Sequence, residues 1–358
     1  MNNDRLFLDV HAIQTVPPSN INRDDTGSPK TAQYGGVRRS RVSSQAWKRA
    51  IRTYFNENGD TANVGVRTKK IVRYVADKIM ALDASKSEKD ALSLATKAIN
   101  AAGIKTKDVD GVAEAKALFF LGDEQANNLA KAAIEGVDDK KRLKEILKAN
   151  PAVDIALFGR MVADDPSLNE DASCQVAHAI STHGVQTEFD FFTAVDDMAP
   201  EDNAGAGMLG TVEYNSSTLY RYGNIAVHEL ARQLGDREQT INAIALFVES
   251  FVNSMPTGKI NTFANQTLPQ ALVVTLRSDR PVNLISAYEE PVRSKAGYVK
   301  KSVDKLFEEM RKTEAFVESP KSLFYIAGKD IEGPSEGREE DLSDLLDDLK
   351  NALNSYVE

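Results

Sequence analysis

From Lys69 to Asn150 the chain has no proline and few glycines and is rich in Ala, Lys, Leu and Asp. This stretch reads as mostly helical, with turns near Gly103, Gly122 and Gly136. The segments on either side carry strand patterns. Before it, Leu6, Leu8 and Val10 alternate with Phe7, Asp9 and His11, which predicts a strand over Arg5–Val16. After it, strand-like runs resume at Val153–Phe158 and from Val185. The stretch reads as a helical insertion in a chain that also forms strands, an α+β mixture.

The other elements follow from the same reasoning. Pro17–Gly36, rich in Pro, Asn, Asp and Gly, predicts a long loop of the kind that often carries function. Ser43 and Ser44 cap a helix in which Trp47, Ala50, Ile51, Tyr54 and Phe55 recur on the core side. The run Thr187–Val195 alternates strictly, with Phe192 the one large apolar residue on its Glu188/Asp190 face. Asp196–Gly210 is a glycine- and alanine-rich connection, and return strands are expected at Thr211–Tyr214 and Leu219–Ile225. Met208 and Leu209 sit at the tip of this hairpin with little core to bury them. Further on, helices are expected at Arg237–Met255 and Lys300–Thr313 and a strand at Ala271–Leu276. An acidic, partly mobile tail from Gly328 leads into a last helix, Asp341–Leu353.

No stretch approaches the roughly 18 apolar residues that cross a bilayer. The start of the chain lacks a signal-peptide pattern, and the single cysteine, Cys174, allows no internal disulfide, so a cytoplasmic protein is expected. His11, His178, His183 and His228 have no familiar metal-site spacing and read as structural or solvated, so neither metal nor cofactor is expected. The net charge of −9 argues against a nucleic-acid binder until its distribution is considered. Thr26–Asn56 contains no acid and seven bases: Lys30, Arg38, Arg39, Arg41, Lys48, Arg49 and Arg52. Arg67, Lys69, Lys70 and Arg73 follow, while Lys329–Lys350 holds nine acids against three bases. Such segregation draws an anion to one surface and repels it from others.

The segment Asn20–Arg52 has the parts of a phosphate track. Gly35 and Gly36 would let backbone approach a ligand, and Arg38, Arg39 and Arg41 lie together. Ser43 and Gln45 can bond to phosphate, sugar or base, and the amides at the helix start favour an anion. Lys48 and Arg52 continue the track on one helix face, with Arg49 beside them.

This run, NRDD…YGGVRRSRVSSQAWKRAIR, closely resembles the N-terminal motif of the CasC family, the backbone subunit of the type I-E CRISPR complex called Cascade. VDIALFGRM (Val153–Met161), AHAISTH (Ala177–His183), DFFTAVDD (Asp190–Asp197) and YRYGNI (Tyr220–Ile225) match in the same order. The resemblance covers Leu6 to about Val252 and is less distinct in the last hundred residues. It implies a hand-like fold with a ferredoxin-like (RRM-like) palm over 1–58, 176–184 and 218–328. A helical fingers insertion would span 59–175, a thumb hairpin 185–217 and the acidic tail 329–358. It also implies copies assembled head to tail along a CRISPR guide RNA. They would sit with other Cascade subunits, displace a base at regular intervals and present the guide to target DNA.

Carried over by position, the RNA-backbone contacts are Arg23, Lys30, Ser43, Gln45, Lys48, Arg49 and Arg52, with Arg38, Arg39 and Arg41 matching in the motif. The residues framing the displaced base are Met161, Phe192, Thr193 and Leu209, and Lys300 and Lys301 are candidates for holding target DNA. Contacts to phosphate and sugar hold a guide regardless of its sequence, while base pairing reads the target. The rival reading is a metal-dependent RNA-cleaving subunit that uses the adjacent carboxylates Asp24 and Asp25, as in related type III backbone subunits. The motif around them is that of the non-cleaving family, so no catalytic residue is expected.

Overall fold

The computed structural model describes residues 5–59, 63–162, 164–194, 198 and 208–357. In chain order it opens with β1 (Phe7–Ser19), β2 (Thr31–Tyr34), β3 (Val37–Val42) and α1 (Ser44–Asn58). Next come β4 (Gly65–Thr68), α2 (Ile71–Leu82), α3 (Glu88–Ala101), β5 (Thr106–Val109), β6 (Val112–Ala115), β7 (Phe119–Gly122), α4 (Asp123–Ile134), α5 (Lys140–Lys148) and α6 (Val153–Phe158). After these come β8 (Cys174–Val176), β9 (Ala179–Ser181), β10 (Glu188–Ala194), β11 (Met208–Ala226), α7 (Val227–Leu234) and α8 (Arg237–Asn253). The chain closes with α9 (Ile260–Phe263), β12 (Ala271–Arg277), α10 (Val299–Thr313), β13 (Ser322–Ala327) and α11 (Leu342–Tyr356).

The chain divides into two compact units. The first comprises Met1–Thr53, Val176–Asn224 and Phe247–Ala352. Its sheet runs β13-β12-β1-β11-β9-β3-β2, and β10 and β8 also pair with β11. β1 and β12 are antiparallel from Phe7↔Arg277 to Ile13↔Ala271. β1 is buried along most of its length, as expected of a central strand covered on both faces. It continues through Pro17 and Pro18 to Ser19, because proline's fixed φ suits extended backbone. Ile13, Tyr220, Val273, Leu306, Phe307 and Tyr325 form one core cluster of this unit. Val16, Val42, Trp47, Leu219 and Met255 form another. Trp47 is thus a core residue, and the fully buried Arg221 guanidinium lies 3.7 Å from its ring. Arg221 donates to Gln14 Oε1 at 2.5 Å and to the Phe251 carbonyl at 2.6 Å.

The second unit comprises Tyr54–Gln175, Ile225–Leu246 and Leu353–Glu358. Ile71, Val75 and Ile79 of α2 pack with Ala95 and Ile99 of α3, Leu129 and Ala133 of α4, and Leu143 and Leu147 of α5. Alanines at the facing positions let the helices approach closely. The block is less uniformly helical than its composition predicts, because β4 pairs with β7 and β5 with β6. Val153–Phe158 is a helix and not the expected strand. A six-residue apolar run carries no decisive period. Here Asp154 in the first turn accepts from the Gly65 amide at 2.8 Å and secures the helical form.

Two further expectations change. β11 is one continuous 19-residue strand, so the turn-like NSST at Asn215–Thr218 does not break it. The acidic tail is folded. Tyr325 N–H donates to the Gly337 carbonyl at 2.6 Å, and Arg338 donates to the carbonyls of Ala327, Gly328 and Ile331. Among the described residues, no helix is long and apolar enough to cross a membrane.

Candidate nucleic-acid interface

A ladder of three hydrogen bonds ties the ends of the first cationic segment together. Lys30 N–H donates to the Asn22 carbonyl at 2.9 Å, and Arg41 N–H donates to the Lys30 carbonyl at 2.9 Å. Ser43 N–H donates to Asn22 Oδ1 at 2.8 Å. Asn20 Nδ2 holds the same loop by donating to the carbonyls of Gly27 and Glu213, both at 2.9 Å. Arg23, Lys30, Arg41 and Ser43 are therefore fixed on one piece of backbone. The expected free loop is a folded one, with an isolated bridge between Arg23 and Pro29.

From Ser43 the chain enters α1. The Ser43 carbonyl accepts from the amides of Ala46 and Trp47, and the first turn contains no acid. Trp47, Ala50, Ile51 and Phe55 bury one face of the helix. Gln45 and Arg49 are exposed, and Lys48 and Arg52 are half-buried. Among the described residues, Arg23, Lys30, Arg38, Arg41 and Arg49 pair with no carboxylate, whereas Arg73, Lys78, Lys144, Arg277 and Lys312 all do. Cations left unpaired by the fold keep their full attraction for an external anion.

The structure removes Arg39 from this group. It is fully buried and donates to the carbonyls of Tyr34 (3.1 Å), Ser181 (3.0 Å) and Tyr288 (2.8 Å). Burial pulls its pKa below the usual arginine range. Its work is internal: it joins the β2–β3 hairpin to two distant segments. Gly35 is likewise structural. Gly35 and Gly36 have φ of +59° and +76°, the two-residue turn that suits a twisted hairpin. A β-carbon at Gly35 would collide with the Glu289 carbonyl, so this glycine serves protein packing and not ligand approach.

Asp24 and Asp25 lie in the same loop. Asp24 Oδ1 accepts from Thr26 N–H (2.9 Å), Thr26 Oγ1 (2.7 Å) and Ser28 N–H (3.0 Å). The Thr26 hydroxyl leads in holding its carboxyl below the usual range. This carboxylate is committed to a turn, and Asp25 is exposed beside it.

The β10–β11 hairpin sets Thr193 opposite Leu209 and Phe192 opposite Gly210. A β-carbon on Gly210 would collide with the Phe192 ring, so the glycine is what allows the ring to lie across the hairpin. Phe192 is 38% exposed and Leu209 63%. The Val195–Asp197 and Ala199–Gly207 part of the expected connection lies outside the described residues. Met161, 84% exposed, belongs to the second unit. Phe189 and Phe191 are about two-thirds exposed on the opposite face of β10. Alternation puts them on one face of the run and does not say whether that face is covered.

Residues 8–352 match the CT1975-like protein family. The chain belongs to this family. Among solved structures, a chain of a "CRISPR RNA-guided surveillance complex, pre-nicking" superposes with a TM-score of 0.85 at 32% identity, over 97% of this chain and 100% of that one. A chain of a "CRISPR RNA-guided surveillance complex" superposes with a TM-score of 0.75 at 27% identity, over 97% and 99%. A comparison with curated proteins returns no match.

In this CT1975-like chain Lys300 and Lys301 stand apart from the ladder, in the first turn of α10. Lys300 Nζ lies 3.4 Å from Asp304 Oδ1, and Lys301 Nζ donates to the Arg293 carbonyl at 2.9 Å. Both side chains are exposed. Cations gain nothing from the helix dipole at that end.

Sequence reasoning missed His178. Nothing in its spacing singled it out, and only the pairing of β3 with β9 (Arg41↔Ile180, Val42↔Ala179) brings it to Arg41. Its Nδ1 lies 3.2 Å from Arg41 Nη1.

Proposed function

We propose that this CT1975-like chain is a non-catalytic subunit that polymerises along a CRISPR guide RNA in a type I-E (Cascade) surveillance complex of the cytoplasm. Copies contact one another head to tail. Such contacts do not close into a ring and give a helical filament. Residues 1–58, 176–184 and 218–328 serve as the palm, 59–175 as the fingers and 185–217 as the thumb. Arg23, Lys30, Arg38, Arg41, Ser43, Gln45, Lys48, Arg49 and Arg52 hold ribose and phosphate. Phe192, Thr193 and Leu209, with Met161, frame a displaced base. The stretches between displaced bases pair with target DNA, which Lys300 and Lys301 help to hold.

The observation that carries this reading is the set of cations without carboxylate partners, laced together by Asn22 and Ser43 and continued along α1. The likeness to chains of RNA-guided surveillance complexes supports it. An apolar wedge that unstacks bases costs a few kcal/mol per step, offset here by backbone contacts along the strand.

Co-expression with guide RNA and the other subunits tests the assignment. Lys48→Ala with Arg52→Ala should weaken guide RNA binding and lower the yield of assembled complex while the variant chain stays folded by circular dichroism; a normal yield of full complex would overturn it. Incubating the assembled complex with complementary RNA and Mg²⁺ tests the non-catalytic part. Cuts that disappear in Asp25→Ala would make the chain a nuclease instead.

A further inference from the structure

Among the cations of this segment that pair with no carboxylate, Arg41 is one whose side chain the fold holds in place. Its Nε donates to the Thr31 carbonyl at 3.2 Å, and its Nη1 lies 3.2 Å from His178 Nδ1. A guanidinium cannot give up its proton, so at this contact it is the donor and Nδ1 the acceptor. The neutral imidazole must then carry its proton on Nε2. Two hydrogen bonds leave Arg41 with the rest of its five N–H donors for a ligand. Both side chains remain accessible. Lys30 is close enough to act on His178 electrostatically. Burial, Arg41 and Lys30, in that order, all disfavour the imidazolium. An acceptor is what a guanidinium needs to hold one orientation, and the fold supplies a neutral one. A carboxylate in that place would cancel the charge that attracts phosphate, whereas a neutral imidazole orients it and leaves the charge intact.

We propose that His178 is a positioning residue for RNA: with its proton on Nε2, it aims the Arg41 guanidinium at a phosphate that Lys30 also contacts. This rests on the RNA-binding reading above, which does not itself assign His178. The role predicts an effect on affinity without an effect on phosphate count.

The test uses the full-length chain and fluorescein-labelled single-stranded RNA, with anisotropy titrations over a series of KCl concentrations. His178→Ala should weaken binding about tenfold, as for the loss of one charge-assisted hydrogen bond. The slope of log affinity against log salt should not change, because no cation is removed. Arg41→Ala should weaken binding and make that slope shallower by about 0.7. The double variant should bind no more weakly than Arg41→Ala alone. His178→Asn, which keeps an acceptor near the Nδ1 position, should stay within about twofold of the parent. ¹⁵N NMR of the free chain should show the Nε2–H tautomer at neutral pH. Additive losses in the double variant, or the Nδ1–H tautomer, would overturn the proposal while the RNA-binding reading stands. If the parent chain binds no RNA, or Arg41→Ala leaves the slope unchanged, the RNA-binding reading falls and this proposal falls with it.

Discussion

Replacing Lys30 and Arg49 with glutamine removes two of the five Asn20–Arg52 cations that, among the described residues, pair with no carboxylate: Arg23, Lys30, Arg38, Arg41 and Arg49. If each neutralises one phosphate of a single strand, log affinity falls with log salt with a slope of about −3.5, and Lys48 and Arg52 steepen it further. The double replacement should bring the slope of five contacts to about −2.1 and weaken binding most at low salt. The fold should be indifferent. Lys30 contributes to the ladder through its backbone amide and carbonyl, and Arg49 is exposed on α1. Surface changes of this kind stay within about 0.5 kcal/mol of the parent stability. Anisotropy titrations from low to moderate KCl measure the slope, and a urea melt checks the fold. An unchanged slope in the double variant would refute the reasoning. The cations would then not face phosphate, and any RNA affinity would have another source.

Three further expectations follow from particular contacts. Arg39→Ala should cost about 3 kcal/mol or more in urea denaturation, because the Tyr34, Ser181 and Tyr288 carbonyls lose a buried charged donor. Gly35→Ala should destabilise the chain by more than Gly36→Ala in the same melts, since both have positive φ but only Gly35 abuts the Glu289 carbonyl. Stability should also fall on acidification below pH 6.5 through His11. Burial and then Arg277 push its imidazole down to about 3, so between those values the unfolded chain takes up a proton that the folded chain refuses. Over that window the penalty amounts to about 4 kcal/mol. Asp9 opposes it: burial raises its carboxyl to about 6, so its contribution is full below pH 3.8 and lost as pH rises through 6. Melts at pH 7 and pH 4.5 should therefore show a larger acid loss in Asp9→Asn than in the parent, and a smaller one in His11→Phe.

Much of this was legible in the chain because local and global signals agree. The α1 face of Trp47, Ala50, Ile51 and Phe55 is buried as its spacing predicts, and the alternating run Thr187–Val195 contains the strand Glu188–Ala194, paired with β11. The failures occur where a distant segment decides. Arg38, Arg39 and Arg41 are equivalent in sequence, yet only Arg39 meets the carbonyls of Ser181 and Tyr288, and that encounter depends on β9 and on Leu284–Tyr288. Val153–Phe158 is too short for its period to speak, and Asn215–Thr218 has turn residues that sheet pairing overrides. His178 lies 137 positions from Arg41, so no spacing rule could join them.

Ultraviolet crosslinking of the assembled particle, followed by mass spectrometry of the RNA-bound peptides, reaches the central claim most directly. The account predicts crosslinks concentrated between Asn20 and Arg52, with a second group at Phe192 and Leu209. Crosslinks confined to other surfaces, with Arg23, Lys30 and Arg49 shielded by a neighbouring protein, would contradict it.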